Sequence, residues 1–479
     1  MIFKSTRSTE EVKDYEALIN GIAKDGGLYM PKEFPKVNIN NLMDLNYINI
    51  CSSILGLFFD IEEIKLKNYI EKSYSKFTKS NIVPVKKFDD FAFIELFHGP
   101  TLAFKDIALS MLPHLLSDAL SRKNTNENLL ILTATSGDTG SAALEGFKNI
   151  PNIKIIVLYP EIGVSHIQEL QMLNIDGDNT KVFSIKGNFD DAQSKVKELF
   201  ADNNIFEIGK EHNRYLSSAN SINIGRLLPQ VVYYFHSYID LIKNKKIKMG
   251  DKIDIAVPTG NFGNILASYF AKLIGLPVDK FICASNKNNV LTDFFETGVY
   301  DINRDFYVTS SPSMDILISS NLERLLYLKL GEEKTKEIML DLKNTNKYKV
   351  DKNIFSDFIS GCCSESETES EIKYIYEKFN YVVDPHTAVA SFVQRKLKAE
   401  NKTKNYCLIT STASPYKFPK VIGKSLNISD ENEFQLIRAI NKKTKCEIPQ
   451  VIYNLENKKI TKNTIDINNV KNNVIEFIK

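Results

Sequence analysis

The run His98-Gly99-Pro100-Thr101-Leu102-Ala103-Phe104-Lys105-Asp106 sets a lysine in an unusual neighbourhood. It follows an apolar stretch at 91–97 and opens a helical one, so Lys105 is expected at the carboxyl edge of a sheet, where open α/β folds bind ligands. Leu102, Ala103 and Phe104 would desolvate the amine and lower its pKa from ~10.4, as a Schiff-base lysine requires. By default a lysine is a surface charge; the apolar flank is what argues otherwise. Two further segments, 129–140 and 257–264, join an apolar strand to a helix through small residues: Thr135-Ser136-Gly137-Asp138-Thr139-Gly140 and Pro258-Thr259-Gly260-Asn261-Phe262-Gly263-Asn264. Converging backbone N–H groups at a helix N-terminus receive anions. Neither segment is a P-loop, because neither carries Gly-Lys-Ser/Thr. One such turn is often mere geometry; two in one chain favour a ligand with two anionic ends.

The elements around these residues alternate. Residues 91–97, 129–135, 153–159, 181–185, 253–257 and 406–410 read as strands, with helical stretches after 105, over 141–148 and over 265–274. That alternation predicts an α/β fold with mainly parallel, twisted sheets flanked by helices. Residues 1–85 read as short helices around a turn at Asp25-Gly26-Gly27. The acidic run 365–371 reads as the exposed first turn of a helix, and the Lys-rich stretch from 441 as solvated surface. Pro113 falls inside the helical stretch after Lys105, where it must either end the helix early or kink it.

Composition narrows the function classes. With 479 residues there is room for roughly three domains. A net charge of +2, from 61 basic and 59 acidic side chains, argues against a nucleic-acid or membrane-surface protein. The six cysteines show no CxxC spacing, so neither a metal site nor a disulfide framework is signalled. Without an apolar leader or a ~20-residue apolar run, a soluble cytoplasmic protein is expected.

HGPTLAFKD, TATSGDTGSA, NSINIGRLLPQ, PTGNFGN, ICASNKNNVLTDFF, DPHTAVA and STASPYKF occur in that order, after a DGGLYMP turn near the N-terminus. Together they resemble the threonine synthases over nearly the whole chain. The resemblance implies a tryptophan-synthase-β type fold: an N-terminal family domain over 1–85, a smaller domain over 86–240 with the cofactor lysine and substrate-carboxylate loop, and a larger one over 241–479 with the cofactor-phosphate loop. It implies pyridoxal 5'-phosphate as cofactor, Schiff-base linked to Lys105. Gly260, Asn261, Phe262 and Asn264 would cradle the cofactor phosphate, and Thr412 would face the pyridine nitrogen. Ser136, Gly137, Asp138 and Thr139 match the loop for the substrate α-carboxylate. Asn220, Ser221 and Arg226 match the substrate-phosphate site, a role that suits a guanidinium fork.

The implied reaction converts O-phospho-L-homoserine and water to L-threonine and phosphate, by γ-elimination and β-addition of water. The implied partner is this small substrate alone, in a monomer or small homo-oligomer. Helix capping is an equal reading of Asp138, a surface arginine at a helix start the lesser alternative for Arg226, and a packed or capping histidine the preferred reading of His386. Ser414 replaces the histidine common in relatives. A dehydratase-type enzyme of the same fold and a non-catalytic threonine-synthase-like protein are the alternatives.

Overall fold

The computed structural model describes residues 1–479 apart from 125, 136, 162, 163, 188, 459 and 460, and the side chains of 189 and 190. Two sheets organise the chain. The larger runs Phe358–Cys362, Val278–Ser285, Ile253–Pro258, Tyr406–Ser411, Phe91–Glu95 and Val85–Lys87; only the last strand is antiparallel to its neighbour. The smaller runs Thr464–Ile465, Thr180–Ile185, Ile153–Pro160, Asn128–Ala134 and Arg214–Ser217, all parallel. Both faces of a parallel sheet are covered by crossover helices, which is why strands such as Ile253–Pro258 are apolar and buried along their length. Each fully buried Ile, Leu or Val side chain contributes about 1.5–3 kcal/mol.

The sheets do not follow the linear partition at 240/241. Phe91–Glu95, which leads to Lys105, belongs to the larger sheet and pairs with Tyr406–Ser411. Thr464–Ile465 from the C-terminal stretch extends the smaller sheet. Val470, Val474 and Ile478 then pack into the outer core of that sheet, so the Lys-rich tail has a buried face as well as a solvated one. Its buried apolar positions, spaced by four on the helix Val470–Ile478, form one stripe.

The first 85 residues contain the expected short helices and, in addition, a three-stranded antiparallel sheet with Ile2–Ser5 between Glu11–Lys13 and Tyr29–Pro31. The acidic run opens the helix Glu365–Phe379, with Ser364 and Glu367 forming a capping box. Pro113 ends the question it posed: a short helix Lys105–Leu109 stops, and a second, Leu112–Lys123, starts with the proline in its first turn. No helix among the described residues is long and apolar enough to cross a membrane.

Candidate active site

Lys105 opens its helix beyond the carboxyl end of Phe91–Glu95 and is buried. The turn that delivers it holds Leu102 in the left-handed region at φ 61°, and Asp106 accepts from both the N–H (2.8 Å) and the hydroxyl (2.6 Å) of Thr101. Burial pushes the Asp106 carboxyl up to about 6, against the pull of those hydrogen bonds. The Lys105 Nζ donates to Ser313 Oγ at 2.8 Å and lies 3.5 Å from Asp138 Oδ2. Burial lowers the amine's pKa, as the apolar flank predicts; Asp138 opposes, while Arg226 and Lys417 push the same way as burial.

Asp138 is the first residue of the helix Asp138–Phe147, whose N-cap is Gly137, so its carboxylate does not cap. It turns instead to Lys417 Nζ at 2.8 Å, Gln168 Nε2 at 2.8 Å and Ser313 Oγ at 3.4 Å. Burial would raise its pKa, but the Lys417 and Lys105 cations outweigh that and hold the carboxyl well below the usual range. Gly137 has φ 138°, and a Cβ there would fall 2.6 Å from the Gln168 side chain. Ser136 lies outside the described residues, and Thr139 sits inside the first turn.

The second loop follows Ile253–Pro258. Phe262 takes φ 62° and caps the helix Gly263–Leu273. Asn264 Oδ1 accepts from Tyr233 Oη at 2.9 Å and from Tyr234 Oη, while its buried Nδ2 has no acceptor. A Cβ on Gly260 would lie 2.5 Å from the Ser313 carbonyl oxygen, so this loop packs tightly on the one that presents Ser313. Asn321 Nδ2 donates to the Asn261 carbonyl at 2.9 Å and the Ser221 carbonyl at 3.2 Å, joining this loop to residues 220–226.

Arg226, in the first turn of Ile224–Lys243, is 3% exposed. Its Nη1 donates to the Ala219 carbonyl at 2.6 Å, its buried Nε has no acceptor, and it is in no ion pair found among the described residues. Burial lowers its pKa to about 10. A buried guanidinium without a counter-ion is costly, and an arriving anion removes that cost. Asn220 Oδ1 accepts from Thr133 Oγ1 at 3.0 Å, which fixes this segment to the end of Asn128–Ala134.

Comparison with known proteins follows the same lines. The family model described as threonine synthase N terminus matches residues 2–74. The threonine synthase of Saccharomyces cerevisiae is 38% identical over 89% of this chain and 89% of its own. The chain belongs to the threonine synthase family. Threonine synthase-like 1 of Homo sapiens is 41% identical over 87% of this chain, which spans 58% of that relative's length. A crystal structure of PLP-bound threonine synthase from Brucella melitensis superposes with a TM-score of 0.88 at 32% identity, covering all of both chains.

Within this family member, Asp138 and Arg226 both act electrostatically on Lys105, with opposite sign. Thr412 lies just past Tyr406–Ser411, its carbonyl accepting from the Phe104 N–H at 2.8 Å, so it is next to the lysine turn. Ser414 is buried and its N–H donates to Leu102 O at 3.0 Å, which makes it part of that same turn.

Sequence reasoning missed Ser313, which sits in an aperiodic stretch with no signal beyond a cluster of serines. His386 is packed, as the sequence reading had it, being buried with its ring on Phe418; in addition Nε2 accepts from the Ser313 N–H at 3.2 Å and Nδ1 faces Asp384 Oδ1 at 2.8 Å. The proton is therefore on Nδ1, and the Asp384–His386 pair fixes the loop that carries Ser313. Lys417 was inside a quoted motif, but its reach to Asp138 requires the sheet topology.

Proposed function

We propose that this chain is a threonine synthase that converts O-phospho-L-homoserine and water to L-threonine and phosphate, with pyridoxal 5'-phosphate as cofactor. The observation that carries it is the meeting of a buried, pKa-lowered lysine with a buried arginine that lacks a counter-ion, in a chain of this family. The residues fit the cofactor. Gly260, Asn261 and Phe262 lead into the helix N-terminus that carries Asn264, and the unpartnered Asn264 Nδ2 is a donor awaiting an acceptor. Thr412 supplies a hydroxyl for the ring nitrogen, and Lys105 the amine for the Schiff base. When bound, the cofactor supplies a conjugated electron sink next to Cα.

The chain's own residues do the rest. The 136–139 segment holds the substrate carboxylate, and Asn220, Ser221 and Arg226 hold the substrate phosphate. Lys105 removes the proton from Cα and then from Cβ; phosphate leaves Cγ with its bonding electrons. Protons return to Cγ and Cα, and the hydroxyl of water adds at Cβ. Arg226 serves twice, since it binds the dianion and depresses the amine that must be neutral to accept a proton.

The experiment is threonine and phosphate formation from O-phospho-L-homoserine by wild type and Lys105→Ala. Stoichiometric products, abolished in the variant together with the borohydride-fixed cofactor, are expected. Cofactor binding without either product from wild type would favour the non-catalytic reading. Turnover of serine or threonine instead, insensitive to Arg226→Ala, would favour a dehydratase.

A further inference from the structure

Lys417 is a charged group in the centre that no step of the proposed reaction uses. It lies in the turn Pro415–Lys417, is 0% exposed, and donates to the Thr101 carbonyl at 2.7 Å. It also contacts Asp138 Oδ1 at 2.8 Å, while the other oxygen of that carboxylate lies 3.5 Å from Lys105 Nζ. Asp138 thus stands between two buried lysines, with the closer contact, 2.8 Å against 3.5 Å, to Lys417.

We propose that Lys417 is a positioning residue that engages Asp138 and so withholds its charge from Lys105, leaving the Lys105 amine free to accept a proton. The proposal rests on Lys105 as the catalytic amine and deepens that reading. A single carboxylate cannot neutralise two ammonium groups, and Arg226 adds a third positive charge that acts on the same amine. Coulomb attraction falls with distance and rises in a dry site, so the closer Lys417 contact dominates. Gln168 Nε2, at 2.8 Å from the same Oδ1, fixes the carboxylate's rotamer and keeps Oδ2 toward Lys105 and Ser313.

The other charged groups are arranged consistently. Asp106, on the helix of Lys105, is occupied by the Thr101 N–H and hydroxyl. His386 reaches Ser313 through the backbone N–H and presents no ring proton to Lys105. Lys105 therefore has one direct carboxylate neighbour among the described residues, and that carboxylate is already in closer contact elsewhere. Removing Lys417 takes away a repelling charge and frees an attracting one; both changes favour the protonated form of Lys105.

The test is competitive labelling of Lys105 by acetic anhydride across pH in the cofactor-free full-length chain, read by mass spectrometry. Lys417→Met is expected to move the midpoint up by about one pH unit or more, and Asp138→Asn to move it down. Lys417→Arg, which keeps the cation, is expected to restore the wild-type midpoint. In the holoenzyme, the acid limb of the kcat profile of Lys417→Met moves in the same direction as its labelling midpoint. A Lys417→Met midpoint that does not move overturns the proposal. If that variant does not fold, an Asp138→Asn midpoint that stays put or rises does so. Labelling needs neither cofactor nor substrate, so failure of the threonine synthase reading would appear separately, as absent turnover with the midpoint shifts intact.

Discussion

Replacing Arg226 with methionine separates its function from its effect on the fold. The side chain is 3% exposed, its Nε has no acceptor, and burial takes its pKa from 12.5 to about 10. At ~1.36 kcal/mol per pKa unit, the buried charge opposes folding by roughly 3 kcal/mol. For a base the sign is as follows. A lowered folded pKa means the unfolded chain binds the proton more tightly, so at neutral pH the cost is fully present and stability rises only above the folded value near 10. Arg226→Met should therefore raise the apparent Tm by a few degrees in buffer free of phosphate and sulfate. Turnover should move oppositely, since losing a buried partner of a charged ligand group typically costs about 2–5 kcal/mol. That corresponds to a fall in kcat/KM for O-phospho-L-homoserine between about 30-fold and several thousand-fold. The assay pairs steady-state phosphate release with thermal melts over increasing inorganic phosphate, which should stabilise wild type far more than the variant. Equal stabilisation of both proteins by phosphate, or a loss of kcat/KM below about threefold, would refute the reasoning.

Gly260→Ala should lower both Tm and kcat, because the new Cβ would fall 2.5 Å from the Ser313 carbonyl and overpacking of this kind costs about 1–3 kcal/mol. Gly263→Ala, whose nearest neighbour would be 3.6 Å away, should keep or raise Tm in the same differential scanning measurement. For Asp106, a folded pKa of about 6 against 3.8 means that protonated Asp106 favours the fold: its contribution is full below about 3.8 and is lost as pH rises through about 6. Tm should accordingly fall less between pH 5 and pH 7 in Asp106→Asn than in wild type; an identical slope would dissociate Asp106 from that pH dependence.

Local sequence made the strand–turn–helix units legible because each needs only an apolar run, small turn residues and a helical period. Asn128–Ala134 and Ile253–Pro258 lie within a residue or two of the expected strands for that reason. The sheet partition was not legible, since it depends on long-range pairing: Phe91–Glu95 joins Tyr406–Ser411 across more than 300 residues of chain. The same limit hid the partners of Lys105. Apolar neighbours announced its burial, but Ser313 reaches Lys105, and Lys417 reaches Asp138, only from turns far away in sequence. Asp138 read equally well as a cap because aspartate at a helix start has two uses, and only its neighbours tell them apart.

Arg324 is one of the residues that tie the N-terminal region to the centre, beside Asn223 and Ser217, which donate to the Leu18 and Ile19 carbonyls. Arg324 is fully buried; its Nε donates to the Tyr29 carbonyl at 3.0 Å, its Nη2 to the Ile222 carbonyl at 2.5 Å, and its Nη1 to Asn321 Oδ1. Asn321 in turn bonds the carbonyls of Asn261 and Ser221. The strand Tyr29–Pro31 therefore anchors both loops proposed to hold phosphates, whereas Lys105 is held from the other side by Ser313 and Asp138. Burial lowers the Arg324 pKa to about 9, with the Glu323 carboxylate opposing, and the acceptors of its donors are uncharged carbonyl oxygens. That charge adds to the positive field of the region proposed to hold two phosphate groups. The N-terminal sheet thus contributes to the centre by fixing the spacing between the two anion loops rather than by supplying a reacting group.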